Sequence, residues 1–193
     1  MKLVVIAGAT ATGKSALSVA LAEAIGAEII NADSMQVYRG MDIGTAMITL
    51  EERHGITHHM LDVLDVNQDS TVAWYQSAAR DAIDEIHSRG KSVVMVGGTG
   101  LYIKAAIDEL NFPDTDPMVR HTLNKEAEEL GIDEMFARLE KLDPAAALAI
   151  DRANLRRIIR ALEVIEITGK PFTANLPREE SVRYPQARQF GLV

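Results

Sequence analysis

Short apolar runs alternate with amphipathic stretches along the first hundred residues, and this alternation sets most of the expected fold. Leu3-Val4-Val5-Ile6-Ala7 is a continuous apolar run of strand length. Over 14–24, Ala16, Leu17, Val19, Ala20 and Leu21 recur at helical spacing, and Gly26 supplies a stop. Glu28-Ile29-Ile30-Asn31-Ala32 reads as a second short buried strand. Strand, loop, helix, strand is the opening unit of a parallel α/β sheet. Residues 60–66 are expected to add a short strand with Leu64 and Val66 facing the core. Over 71–89, Trp74, Ala78, Ile83 and Ile86 fall near helical spacing, with Asp81, Asp84 and Glu85 on the other face and Gly90 at the end. Ser92-Val93-Val94-Met95-Val96 is the clearest central strand.

The rhythm breaks at Pro113-Asp114-Thr115-Asp116-Pro117. Short helices are expected over 117–130, 133–142 and 144–150 with no strand between them, which reads as a helical insertion on the sheet domain. The expected division is an α/β core over 1–112, an insertion over 113–150 and a return to the core over 151–193. In the returning part, residues 152–164 form an amphipathic helix. Arg152, Arg156 and Arg160 fall every fourth residue on one stripe with Arg157 beside it, and Leu155, Ile158, Ile159 and Leu162 make the buried side. Gly169-Lys170-Pro171 closes it. The tail after Thr173 is polar until Phe190-Gly191-Leu192-Val193, which reads as the first residues of another strand. That ending suggests a chain cut short.

Composition narrows the class. A 193-residue chain, 47% hydrophobic and 25% charged, suits one globular domain or one with a large insertion. No stretch approaches the roughly eighteen apolar residues of a membrane span. A strand beginning at Leu3 leaves no room for a signal peptide. The absence of cysteine excludes disulfides and thiolate metal sites and fits a cytoplasmic location. A net charge of −8 argues against indiscriminate nucleic-acid binding, so four arginines on one helix stand out as a local anion site. A solvated stripe paired to nearby acids is the alternative.

The candidate chemistry gathers in loops that follow strands. Gly8-Ala9-Thr10-Ala11-Thr12-Gly13-Lys14-Ser15 has the G-x-x-x-x-G-K-S spacing of a phosphate-binding loop, with a strand before it and a helix after it. Glycines let successive N–H groups curl around an anion, and the helix start adds its positive dipole end. Lys14 is expected on terminal phosphate oxygens and the Ser15 hydroxyl on Mg²⁺. Asp33 lies just past strand two, at the edge where ligands bind in open parallel sheets. It is a candidate general base or magnesium partner, or the start of an Asx turn with Ser34. Gly97-Gly98-Thr99-Gly100-Leu101-Tyr102 is a second glycine-rich turn on the same edge, where Thr99 could meet a phosphate, a metal-bound water or a nucleotide. His54, His58 and His59 lack partners at metal-site spacing and are read as structural. Trp74 and Tyr75 are read as packing residues.

Several of these stretches together resemble the tRNA dimethylallyltransferase (tRNA isopentenyltransferase) family. They are Gly8–Ser15, the block Asp33-Ser34-Met35-Gln36-Val37-Tyr38-Arg39-Gly40-Met41-Asp42-Ile43-Gly44-Thr45-Ala46, His58-His59, Gly97–Tyr102 and Arg160-Ala161-Leu162-Glu163-Val164, in the family's order from residue 3 to about 172. The resemblance implies a P-loop NTPase-like α/β fold with a helical insertion. It implies transfer of a dimethylallyl group from dimethylallyl diphosphate to N6 of adenine 37, beside the anticodon of tRNA, by a cytoplasmic monomer using Mg²⁺. The loop Gly8, Ala9, Thr10, Ala11, Thr12, Gly13, Lys14 and Ser15 would then grip the donor diphosphate where related loops hold ATP. Asp33, Lys14 and Thr99 would be catalytic. Asp33, Ser34, Met35, Gln36, Thr99, Arg120, Arg156, Arg157, Ile158, Ile159 and Arg160 would contact tRNA, and the target base would be extruded to reach the donor. Ala9 and Thr57 stand where the family usually has proline, and relatives continue well past Leu192.

Three rival readings predict different products. A P-loop small-molecule kinase would move phosphate and leave the Asp33 block unexplained. An isopentenyltransferase of free adenine nucleotides would need no helical insertion. A non-catalytic nucleotide- or RNA-binding fragment would keep the fold without turnover.

Overall fold

A computed structural model describes residues 2–110, 112–175 and 182–193. The chain divides into two compact units, Met1–Glu109 with Glu180–Val193, and Leu110–Glu179.

The first unit is built on a five-stranded parallel sheet in the order β3-β2-β4-β1-β5. Its strands are β1 (Leu3–Gly8), β2 (Ala27–Asn31), β3 (His58–His59), β4 (Ser92–Gly97) and β5 (Arg188–Leu192). Helices α1 (Lys14–Ile25), α2 (Val72–Ser88) and α3 (Gly100–Ile107) cover it. Successive strand residues point to opposite faces, so each apolar run feeds two cores. Val5, Ile30, Val93 and Met95 pack with Tyr75, Ile83 and Ile86 of α2 and with Ile103 and Ala106 of α3. Ile6, Ile29, Val94 and Val96 pack on the other side with Val19 and Ala22 of α1. The class expected from the sequence, a parallel α/β sheet flanked by helices, is the one observed.

Two elements differ from the sequence pattern. Residues 60–66 do not continue as a strand, because Met60 (φ 58°) and Asp62 (φ 54°) are left-handed and turn the chain. Pairing stops after His59, Leu64 is buried in the core and makes only an isolated bridge to Tyr38 among the described residues, and Val66 is 72% exposed. In α2 the buried face is Tyr75, Ala79, Ala82, Ile83 and Ile86, one residue on from the expected Trp74 and Ala78 at its start. Tyr75 stacks on Tyr102 at 4.0 Å between ring centroids and donates its hydroxyl to the Asn31 carbonyl at 2.8 Å. Trp74 and Ala78 pack partly buried on the same core.

The second unit is helical: α4 (Pro117–Leu130), α5 (Ile132–Leu142), α6 (Pro144–Ala149), α7 (Leu155–Thr168) and a short 3-10 turn (Phe172–Asn175). Leu123, Met135, Leu139, Ala146, Ile158 and Leu162 form its core. Asp116, Asp143 and Asn154 cap α4, α6 and α7 with their side chains, and left-handed Gly169 (φ 64°) ends α7. The arginine helix therefore belongs to this unit, whereas the sequence pattern returned it to the sheet domain. Its apolar face is complementary to α4 and α5, and that burial decides the matter. The expected final strand is present as β5, paired with β1 from Val4↔Arg188 to Gly8↔Leu192.

Candidate active site

Three loops leave the carboxyl ends of three adjacent strands, β2, β4 and β1, and those after β2 and β4 are stitched to each other. After β1, the loop 8–15 carries left-handed backbone at Ala11 (φ 65°) and Gly13 (φ 82°), the alternation that turns N–H groups into one concavity. Thr12 Oγ1 donates to the Ala9 carbonyl at 2.9 Å, and Lys14 Nζ donates to the same oxygen. Ala9, Thr10, Ala11, Gly13 and Ser15 are exposed. Gly8 is required by β5: a Cβ there would lie 2.5 Å from the Leu192 carbonyl oxygen.

After β2 and β4 the two other loops lock together. Thr99 N–H donates to the Ala32 carbonyl at 3.1 Å, and Ala32 N–H donates to the Val96 carbonyl at 2.7 Å. Thr99 Oγ1 accepts the Ser34 N–H at 3.0 Å and donates to Ser34 Oγ at 3.3 Å. Gly97 has no room for a side chain, since a Cβ would meet Ala32 O at 2.2 Å. The sequence-predicted residues Asp33, Ser34 and Thr99 are thus brought together, on the edge that also carries Gly8–Ser15.

Asp33 is half-buried and sits in an Asx turn. Its Oδ1 accepts from Met35 N–H at 2.9 Å and from Gln36 N–H at 3.4 Å. Asn31, a polar residue at the end of a buried strand, fixes the segment from below. Its Oδ1 accepts the Asp33 N–H, while Nδ2 donates to the Asp33 and Met60 carbonyls. Among the described residues Oδ2 of Asp33 has no partner, so one carboxylate oxygen is free to accept a further hydrogen bond. Met35 is 46% exposed, and Gln36 Nε2 donates to Thr45 O at 2.8 Å.

Away from this edge, Glu28 is a buried carboxylate in the middle of β2. It accepts from His59 Nε2 at 2.7 Å, Arg89 at 2.7 Å and Lys91 at 2.9 Å. Burial alone would raise its pKa. The hydrogen bonds from His59, Lys91 and Arg89 outweigh that and bring it to about 2. His59 is therefore a hydrogen-bond partner of Glu28, His54 Nδ1 lies 3.0 Å from Glu23 Oε1, and His58 Nδ1 lies 2.9 Å from the Ile56 carbonyl. No role was expected of Glu28; a lone charge inside an apolar run was its only mark.

The second unit carries the arginines. Arg156 and Arg157 are exposed and have no ion pair among the described residues. Ile158 and Ile159 are buried in the helical core, so they hold α7 in place and present no side chain to a ligand. Arg152 precedes α7 and does not share its stripe; it pairs with Asp133 and lies over the Phe136 ring. Arg120 and Arg160 both bond to Glu163, which is fully buried. Burial would raise the Glu163 pKa, but the two guanidinium groups prevail and hold it below the ordinary carboxylate value.

Fold and loops define a P-loop NTPase-like α/β protein carrying a helical unit. The family model for IPP transferase matches residues 36–192. The tRNA dimethylallyltransferase of Thermobifida fusca (strain YX) is 58% identical over 195 residues, covering 98% of this chain and 60% of the relative. That of Streptomyces griseus is 55% identical over 181 residues, covering 94% and 58%. Among solved structures, a eukaryotic dimethylallyltransferase acting on tRNA matches with a TM-score of 0.85 and 32% identity, covering all of this chain and 48% of its own. The full-length tRNA isopentenylpyrophosphate transferase of Bacillus halodurans matches at 0.57 and 48%, covering 88% and 57%. The chain belongs to the IPP transferase family. It spans 58–60% of the length of the two curated relatives.

Proposed function

We propose that this chain transfers the dimethylallyl group of dimethylallyl diphosphate to N6 of adenine 37 in tRNA. The observation that carries the reading is the meeting, on one sheet edge, of a phosphate-type loop, a carboxylate with one unpaired oxygen and a threonine-locked glycine turn. The relatives' name, tRNA dimethylallyltransferase, supports dimethylallyl as the group moved and tRNA as its acceptor.

The residues divide the work as follows. The loop amides and Lys14 bind the diphosphate and stabilise the charge that builds as the allylic C–O bond breaks. The N6 lone pair attacks the allylic carbon, the C–O electron pair leaves with diphosphate, and the N6 proton passes to Asp33. An exocyclic amine is a weak nucleophile, so placing that carboxylate matters more than its basicity. Asn31 and the Asx turn do the placing, and Thr99 holds Ser34 beside it. Ser15 fits Mg²⁺: its hydroxyl is exposed, lies in the first turn of α1 and makes no side-chain hydrogen bond among the described residues. A magnesium ion there would offset charge on the diphosphate. Arg156 and Arg157 meet the RNA backbone. The protein acts as a cytoplasmic monomer; among the described residues no helix is long and apolar enough to cross a membrane.

Radiolabelled prenyl transfer with Mg²⁺, offered an anticodon stem-loop and AMP in parallel, tests the reading. Label in the RNA alone is expected. Label in AMP would move the acceptor to free nucleotides, and no label in either would leave a binding fragment without turnover.

A further inference from the structure

Glu163 is a fully buried carboxylate that the proposed reaction does not use. Its Oε2 accepts from Arg120 Nη2 at 2.6 Å and from Arg160 Nη1 at 2.8 Å, and its Oε1 accepts the Asp116 N–H at 3.2 Å. Asp116 in turn caps α4 by accepting the N–H groups of Met118 and Val119. One carboxylate therefore ties the first turn of α4 to α7. The two arginines it binds are not equivalent. Arg160 also donates to the Pro113 carbonyl at 2.7 Å and the Asp114 carbonyl at 3.4 Å, and its side chain is 27% exposed. Arg120 gives only Nη2 to Glu163, keeps Nε and Nη1 without partners among the described residues, and is 45% exposed.

We infer that Glu163 is a positioning residue for RNA binding: it holds Arg120 by one edge of its guanidinium, so that the other edge meets a backbone phosphate. Arg160 is a structural arginine whose Nη1 and Nη2 groups are both engaged by the chain itself. The phosphate-facing cations of this unit are then Arg120, Arg156 and Arg157. A guanidinium can do this because its planar fork has two usable edges, which the single ammonium of a lysine lacks. The inference rests on the tRNA-binding reading above.

Binding of a labelled anticodon stem-loop RNA across a salt series tests it, using the whole chain. Glu163→Gln makes the protein one charge less negative, so a carboxylate that merely repels RNA predicts tighter binding. Positioning predicts the reverse: a roughly ten-fold loss at fixed salt, with the salt slope lowered by about one phosphate contact. Equal or tighter binding by Glu163→Gln overturns the inference. Substitutions at the partly exposed Arg120 leave the Arg160–Glu163 pair in place and serve even where Glu163→Gln does not fold. Arg120→Lys is expected to bind as weakly as Arg120→Gln, and Arg120→Lys binding like the parent chain overturns positioning. A parent chain that binds no stem-loop at any salt overturns both the inference and the tRNA reading. A parent that binds while these variants bind like it overturns the inference alone.

Discussion

At Asp33 one carboxylate oxygen is already committed to the fold, since Oδ1 holds the N–H groups of Met35 and Gln36. Asparagine can keep that acceptor while losing the ability to take a proton. Asp33→Asn is therefore expected to lower prenyl transfer by about 10²–10⁴-fold with diphosphate binding unchanged, as measured by single-turnover transfer and pyrophosphate titration. Asp33→Ala removes the turn as well, and its thermal unfolding should show a further loss of about 1 kcal/mol. Retained turnover in Asp33→Asn would remove the general-base assignment. Sequence position alone placed Asp33 at the ligand-binding edge but left the Asx turn and the base as alternatives. The geometry shows the turn on Oδ1 and leaves Oδ2 without a partner among the described residues, so the turn does not rule out the proposed base. Glu163 was legible only as part of a motif. Its burial among two arginines depends on contacts between α4 and α7 that lie 43 residues apart in sequence.

The sheet elements were legible because their apolar runs are continuous and their helices periodic; β1, α1, β2 and β4 fall within a residue or two of the pattern. Residues 60–66 were not, because left-handed backbone at Met60 and Asp62 has no signature in hydropathy. The same elements carry two predictions. Gly97 closes β4 against Ala32, whose carbonyl also receives the Thr99 N–H. Gly97→Ala forces backbone apart and is expected to cost about 1–3 kcal/mol in denaturant unfolding, with transfer falling as Thr99 leaves Ser34. Gly100→Ala, which meets nothing within 4 Å, is expected to be neutral and serves as the control. Glu28 joins β2 to β3, to Arg89 at the end of α2 and to Lys91 just before β4, and its pKa of about 2 lies below the ordinary 4.5. Between these values the unfolded chain binds the proton and the folded one does not. The ion cluster's contribution is thus complete above about pH 4.5 and is lost as pH falls toward 2, up to about 3 kcal/mol. Glu28→Gln should flatten the loss of stability over that window in acid-dependent unfolding. An unchanged slope would mean the cluster adds nothing.

Across the whole molecule the balance of charge is unfavourable for RNA. A protein at −8 repels a polyanion, so affinity must come from a local concentration of unpaired cations. Several basic side chains are already engaged: Arg39, Arg89, Arg138 and Arg152 are paired with acids, and Arg160 is held by Glu163 and by chain carbonyls. Arg156 and Arg157 are exposed without ion pairs among the described residues, and they lie on the helical unit, while the phosphate-type loop lies on the sheet unit. Donor binding and RNA-backbone binding should therefore separate by unit, with only the target base reaching Asp33 on the sheet unit. The double variant Arg156→Gln, Arg157→Gln is expected to raise KM for the stem-loop several-fold and to lower the slope of log Kd against log salt by about two contacts. KM for dimethylallyl diphosphate and the unfolding midpoint should stay within error, because among the described residues neither side chain packs in a core or closes an ion pair. Steady-state kinetics with each substrate varied in turn would check this. A fall in donor affinity would show that the two units do not act as separate binding surfaces. An unchanged salt slope would return Arg156 and Arg157 to a solvated face and leave Arg120 as the cation on which RNA binding turns.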